Sequence, residues 1–98
     1  MRVISRGPFR EFARRHPDAR GPLDAWFTIM AEARYETPHE LQETFLSASF
    51  LGAGRTVFNI GGNKYRLIVD IRDDLGLIYA RSVLTHEEYD RRSSKGTL

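Results

Sequence analysis

Arg55-Thr56-Val57-Phe58-Asn59-Ile60-Gly61-Gly62-Asn63-Lys64-Tyr65-Arg66-Leu67-Ile68-Val69-Asp70-Ile71 decides the fold. Its two arms, Arg55 to Ile60 and Asn63 to Ile71, are rich in β-branched and aromatic residues that alternate with a period of two, so both read as strands. Gly61-Gly62 between them is a two-residue hairpin signal, because a type I′ turn needs positive φ at both positions. A turn of that length pairs Ile60 with Asn63, Phe58 with Tyr65 and Thr56 with Leu67. One face of the hairpin then carries Phe58, Ile60, Tyr65, Leu67, Val69 and Ile71, and must pack under other elements. The opposite face carries Arg55, Val57, Asn59, Lys64, Arg66 and Asp70, and must meet water or a polar ligand.

Toward the C-terminus, Leu77 to Leu84 supplies the next strand after a turn containing Asp73-Asp74-Leu75-Gly76. Alternation puts Ile78, Ala80, Ser82 and Leu84 on one side, and Leu77, Tyr79, Arg81 and Val83 on the other. Pairing Arg72 with Leu77 sends Tyr79 and Arg81 to the cationic face, whereas pairing Ile71 with Leu77 buries them. The first register is preferred, because an unpaired buried guanidinium is strongly disfavoured. Thr85 followed by Glu88 is a capping-box pattern, so a short helix is expected from His86 to about Arg92, with 93–98 a disordered tail.

Toward the N-terminus, Arg2 to Ser5 reads as a short strand stopped by Gly7-Pro8. A helix follows with Phe9, Phe12, Ala13 and His16 on one stripe, and His16-Pro17 ends it. A second helix begins near Pro22 and aligns Leu23, Trp26, Phe27 and Met30. Thr37-Pro38-His39-Glu40 has capping-box form with proline at N1, predicting a short helix to about Phe45. Leu46 to Gly54, small and containing two glycines, reads as a connection. The expected architecture is α+β: one domain over 1–92, a small antiparallel sheet with N-terminal helices on one face and a short C-terminal helix.

A chain of 98 residues has room for a single core. It has no cysteine, which excludes disulfides, thiolate metal sites and a Cys nucleophile. Neither a signal peptide nor a membrane span is evident, and a cytoplasmic location is expected. Net charge is only +2, but it is unevenly spread: residues 1–22 carry +4, residues 23–50 carry −4 and residues 51–98 carry +2. Thirteen of the fifteen cations are Arg, which suits bidentate contact with phosphate.

The chemistry-bearing residues lie on the cationic sheet face and just after it. RNA is cleaved without a metal when a base takes the 2′-hydroxyl proton, cations stabilise the phosphorane and an acid protonates the leaving 5′-oxygen. Lys64, Arg66, Arg81, His86 and Tyr89 supply those group types, and no cofactor or metal is called for. Arg55, Asn59 and Tyr79 are the candidate RNA contacts, with Tyr79 or Tyr89 able to stack on a base. The positive end of a helix disfavours imidazolium, leaving His86 available as a base. A purely structural alternative has His86 and Tyr89 packing the last helix onto the sheet, with Glu87 and Asp90 solvated. No pair of His or carboxylates recurs at metal-ligand spacing, and Gly61-Gly62-Asn63-Lys64 lacks the rest of a phosphate-binding loop.

The run Val57 to Ile68, then Thr85-His86-Glu87-Glu88-Tyr89-Asp90, resembles the HigB family of type II toxins within the RelE-like superfamily. Met1-Arg2-Val3-Ile4-Ser5, His16-Pro17-Asp18-Ala19 and Leu23-Asp24-Ala25-Trp26 are similar to it as well, so the likeness covers about residues 1–92. The resemblance implies a RelE-like fold and an mRNA interferase that cuts translated messages on the ribosome, neutralised by a HigA-type helix-turn-helix antitoxin. It matches Arg66 and Arg81 to the arginines that stabilise the transition state, and His86 or Tyr89 to the C-terminal acid/base or stacking group. RelE relies on a lysine-rich face, whereas Lys64 is the only lysine in this sheet. A non-cleaving RNA or ribosome binder of the same fold, and a basic face that receives an acidic antitoxin segment, are the other functional readings.

Overall fold

The computed structural model describes residues 1–32, 38–62, 64–72 and 74–96. Its strands are β1 (Arg2–Ile4), β2 (Ser49–Gly52), β3 (Arg55–Ile60), β4 (Tyr65–Arg72) and β5 (Leu77–Thr85). Its helices are α1 (Gly7–Arg15), α2 (Arg20–Glu32), α3 (Pro38–Thr44) and α4 (His86–Ser94), with a 3-10 turn at Pro17–Ala19 between the first two. The strands form one sheet in the order β1-β5-β4-β3-β2.

The sheet is antiparallel except at one edge, where β1 runs parallel to β5 with Val3 opposite Ile78. Helices α1 and α2 lie on one face. Phe9, Phe12, Leu23, Trp26 and Met30 from them are buried against Phe58, Leu67, Val69, Ile78 and Val83 of the strands. Aromatic edges knit this core: Trp26 meets Phe9 at 5.5 Å and Phe58 at 5.4 Å, and Phe12 meets Tyr65 at 5.1 Å. These are edge-to-face geometries favoured by the ring quadrupoles. α2 starts at Arg20 rather than near Pro22, because the 3-10 turn after Pro17 leads straight into it.

Four local expectations are corrected. The β3–β4 connection is a four-residue loop: Ile60 pairs with Tyr65, Phe58 with Leu67 and Thr56 with Val69. Gly61 and Gly62 do take positive φ (63° and 74°), but the bond closing the turn runs from Lys64 N to Gly61 O, at 3.4 Å. The pairing therefore differs by two residues from the two-residue hairpin. A shift of two leaves the side chains of β3 and β4 on their expected faces, while Lys64, expected within the strand, falls in the loop.

The segment expected as a plain connection contains β2, an edge strand with Ser49 opposite Val57 and Phe50 opposite Thr56. All four of its residues are exposed, so no alternation marks it. Gly54 closes the β2–β3 turn at φ +82°, where a Cβ would lie 2.4 Å from the Ile71 carbonyl oxygen. The Ile71 N–H donates to the Gly54 carbonyl at 2.9 Å, so the close approach is part of the sheet's hydrogen bonding.

In β5 the preferred register is found, with Arg72 opposite Leu77 and Asp70 opposite Tyr79. A bulge then intervenes, for Val69 pairs with Ala80 while Ile68 pairs with Ser82, leaving Arg81 as the extra residue. The bulge reverses the alternation beyond it. Val83 turns into the core, and Leu84 joins Val57 and Ile68 in a second apolar cluster on the opposite face, with Tyr89 of α4 against it. The expected placement of Ser82 and Leu84 with the core side, and of Val83 with the cationic side, is thus inverted. Both large apolar residues find cover this way.

Finally, α4 extends through Ser94, two residues past the expected end, so Ser93 and Ser94 are helix rather than tail. Its capping box is complete: Thr85 Oγ1 accepts from Glu88 N at 3.1 Å, and Glu88 Oε1 accepts from Thr85 N at 3.0 Å. The corresponding cap expected at Thr37 lies outside the described residues.

Candidate functional site

The expected site residues fall into two groups on the sheet face opposite α1 and α2, with Lys64 set apart from both. The first group lies where β3, β4 and β5 pass beside the β2–β3 turn. Arg55, Asp70, Arg72, Tyr79 and Arg81 line a concavity of about 560 Å³ there, with Leu51, Gly52 and Ala53 as its rim.

Asp70 organises this groove. Arg55 donates to it twice, Nε to Oδ1 at 2.8 Å and Nη2 to Oδ2 at 3.1 Å, and Arg81 Nε lies 3.4 Å from Oδ2. The hydrogen bonds from Arg55, with the nearby Arg81 charge, hold the Asp70 carboxyl below the ordinary carboxylate range. The same bonds push the Arg55 guanidinium up. One carboxylate is thereby shared by two guanidiniums, and Arg72 has an exposed pairing of its own with Asp74 at 3.4 Å, so three guanidiniums stand against two carboxylates here. Alternation from Tyr79 carries Arg81 to this face, at the bulge, and its side chain remains 55% exposed.

The second group lies about four residues along β4, roughly 13 Å away at strand rise. Arg66 was expected to be an exposed clamp. It is instead 9% exposed, with Nη1 donating to its neighbour's carbonyl, Tyr65 O, at 3.3 Å and its guanidinium 5.6 Å from the centre of the Tyr89 ring. The cause is α4, which folds back over this end of the sheet and lays Tyr89 on Val57, Ile68 and Leu84. Asn59 is half-buried directly opposite Arg66.

His86 opens α4, anchored by its backbone N–H on the Lys64 carbonyl at 3.0 Å. Its Nδ1 lies 3.0 Å from Asp90 Oδ2, one helical turn on, and the imidazole is 45% exposed. The pair is a close contact across one helical turn, with the imidazole and the carboxylate both open to solvent. A solvent-accessible imidazole with a carboxylate one turn away is the type of group that can exchange protons with a ligand. Asp90, solvated in the purely structural alternative and not among the expected site residues, is the carboxylate beside His86 and is itself 62% exposed. Its signal was present as an i,i+4 spacing from His86.

Lys64 does not join the cationic face. It belongs to the loop, and its ammonium reaches the helical layer, where Nζ lies 2.8 Å from Asp18 Oδ2. Tyr65 Oη donates to the other oxygen of Asp18 at 2.6 Å. The Lys64 and Tyr65 hydrogen bonds hold the Asp18 carboxyl low, and its carboxylate in turn pushes the Lys64 ammonium and the Tyr65 phenol up. Asp70 was placed on the right face from sequence, but its pairing with both Arg55 and Arg81 follows only from the register. Among the described residues no three His, Asp or Glu side chains converge to hold a metal ion, and no helix is long and apolar enough to cross a membrane.

Similar proteins place this geometry in a family. The chain is 29% identical over 93 residues to a protein named mRNA interferase HigB from Escherichia coli O6:H1 (strain CFT073), with 93% of this chain and 90% of that protein covered. It is also 29% identical to the mRNA interferase toxin HigB of Escherichia coli strain K12, with 92% and 88% covered. The mRNA interferase HigB of Shigella flexneri stands at the same identity and coverage. A family model described as HigB_toxin, RelE-like toxic component of a toxin-antitoxin system, matches residues 19–92. The chain therefore belongs to the HigB toxin family, the RelE-like toxic components of toxin-antitoxin systems.

Proposed function

We propose that this toxin is an endoribonuclease that cuts mRNA, acting in the cytoplasm on messages held by the ribosome, as a single unit spanning about residues 1–92. The observation that carries the reading is His86, exposed and with Nδ1 3.0 Å from Asp90, at the end of a sheet face whose groove is lined by Arg55, Arg72 and Arg81. The names of the relatives, mRNA interferases, support it.

In this mechanism the RNA strand lies along the face opposite α1 and α2. Arg81 and Arg72 meet backbone phosphates in the groove, with Arg55 held as a partner of Asp70, and Tyr79 offers its ring to a base. At the α4 end, His86 Nε2 removes the 2′-hydroxyl proton. The 2′-oxygen attacks the adjacent phosphorus, the P–O5′ bond breaks, and the departing 5′-oxygen takes a proton from an acid, the role assigned to the Tyr89 hydroxyl. The products are a 2′,3′-cyclic phosphate and a 5′-hydroxyl end. Arg66 acts from below, holding the Tyr89 ring and contributing positive potential in a partly desolvated place. Asn59 is a positioning neighbour of Arg66. Lys64 is assigned no chemical step, since its ammonium is engaged with Asp18. No step calls on a metal.

A second reading is a translation inhibitor of the same fold that binds RNA or the ribosome without cutting. It is favoured by the loss of two expected catalytic cations from the exposed face, Arg66 by burial and Lys64 by pairing. Mapping of mRNA 5′ ends within minutes of induction, for wild type beside Arg81→Ala and His86→Ala, separates the two. Cleavage predicts new 5′-hydroxyl ends in translated frames that vanish in His86→Ala and fall in Arg81→Ala. Growth arrest without new ends would overturn it in favour of the binder. Cuts that persist when initiation is blocked would overturn the ribosomal part alone.

A further inference from the structure

The helical layer carries a groove that the RNA-directed face does not use. It runs between α1 and α2, on the side of the sheet opposite the Arg55–Arg81 groove, and encloses about 520 Å³. Its rim has four arginines: Arg6 at the N-cap of α1, Arg10 and Arg14 at spacings of four within it, and Arg20 at the start of α2. Phe9 and Phe27 belong to its apolar floor, and among the described residues Asp24 is the one acid that lines it. Spacing by four stacks like charges on one helix face, which disfavours the isolated helix.

That repulsion is barely relieved within the chain. Arg14 has an exposed pairing with Glu11 at 3.6 Å, and Arg6 lies over the Phe27 ring at 4.3 Å. Among the described residues, Arg10 and Arg20 have no ion pair. A strip of like charge over an apolar floor is complementary to a chain segment with the opposite pattern, apolar anchors flanked by carboxylates.

We propose that this groove is the docking site for an acidic, amphipathic segment of the antitoxin, separate from the face proposed to hold RNA. The proposal rests on the family's pairing of toxin with antitoxin and not on the cleavage mechanism. A peptide is favoured over RNA as occupant by the floor. Single-stranded RNA is held by stacking bases on open aromatic faces. Here Phe9 is buried and Arg6 already covers Phe27. The volume suits one or two apolar side chains, and the four guanidiniums suit the carboxylates that flank them.

The test uses the full-length toxin and the product of the neighbouring reading frame that restores growth to cells producing it. In the double variant Arg10→Glu with Arg20→Glu, neither side chain is buried and neither residue has been placed in the RNA-directed machinery. The glutamate at residue 20 sits in the first turn of α2, where negative charge is favourable. The variant is expected to arrest growth as the wild type does, to escape rescue by the antitoxin, and to bind the purified antitoxin at least about tenfold more weakly. Replacement of both by lysine is expected to keep binding within a few-fold.

Undiminished rescue and affinity in the glutamate variant would overturn the proposal. So would intact antitoxin binding combined with weakened ribosome or RNA binding, which would give the groove to nucleic acid. A wild-type dimer in sedimentation that the variant abolishes, with antitoxin affinity unchanged, would give it to a second copy and overturn the proposal too. Should the variant fail to arrest growth, its Tm and antitoxin affinity still decide the matter. An unchanged Tm with weakened affinity supports the docking site, and an unchanged affinity overturns it. Absence of RNA cuts by the wild type would bear on the cleavage mechanism alone.

Discussion

His86 and Asp90 form the most informative residue pair, because a carboxylate lies 3.0 Å from the exposed imidazole that the proposed mechanism uses. His86→Ala is expected to lower single-turnover cleavage by about 10²–10⁴-fold, the usual worth of a positioned proton acceptor. Asp90→Asn should keep the fold and lose activity by about tenfold or more through the tautomer, as in other His–carboxylate pairs. An Asp90→Asn enzyme as active as wild type would remove Asp90 from the mechanism. Asp70 makes a different statement, about stability. Its carboxyl is held low in the folded state, chiefly by Arg55, so the unfolded chain takes up the proton first as pH falls. The stabilisation is complete above about pH 5 and is lost as pH drops below the ordinary aspartate value of about 3.9 toward the lower folded value. Asp70→Asn should cost about 1–2 kcal/mol at pH 7 and flatten the acid limb of Tm against pH. Sequence placed His86 and Tyr89 on one short helix and Arg81 on the cationic face. It did not place Lys64, because that side chain is claimed by Asp18, 46 positions away.

Among the elements, the hairpin and the bulge decide what the face looks like. Alternation identified β3, β4 and β5 and the faces of the first two. The same alternation failed beyond Arg81, because one extra residue reverses parity and period alone does not announce it. β2 was invisible for a related reason: a strand exposed along its whole length has no buried face to produce a pattern. Two substitutions examine these elements. Gly54→Ala puts a methyl against the Ile71 carbonyl at positive φ and should destabilise by about 2–4 kcal/mol, measured by urea unfolding. A loss under about 0.5 kcal/mol would mean that the β2–β3 turn is not built this way. Thr85→Ala removes the oxygen that caps α4 and should cost about 1 kcal/mol. Since α4 carries His86, Tyr89 and Asp90, that variant should also lose cleavage out of proportion to its small change in Tm.

For the molecule as a whole, the fold separates its charge onto two sides. The helical layer presents Arg6, Arg10, Arg14 and Arg20, and the opposite sheet face presents Arg55, Arg72 and Arg81. If RNA binding uses Arg72 and Arg81, the two that meet phosphates, the logarithm of the affinity should fall with log salt at a slope of about −1.4, from roughly 0.7 per phosphate on a single strand. Arg81→Ala should lower that slope by about 0.7, and Arg10→Glu with Arg20→Glu should leave it unchanged. A shallower slope in the latter variant would show that RNA reaches the helical side.

What the sequence determined by itself is whatever follows from nearest neighbours along the chain: the periods of the helices and main strands, the Thr85 cap, the class of fold, and the resemblance carried by the hairpin and the His86 motif. The tertiary structure alone decided which cations stay exposed. Arg66 is covered because α4 turns back onto the sheet, and Lys64 is drawn to Asp18. The physical reason is that exposure and charge pairing are set by whatever arrives from distant parts of the chain, and local pattern carries no record of it.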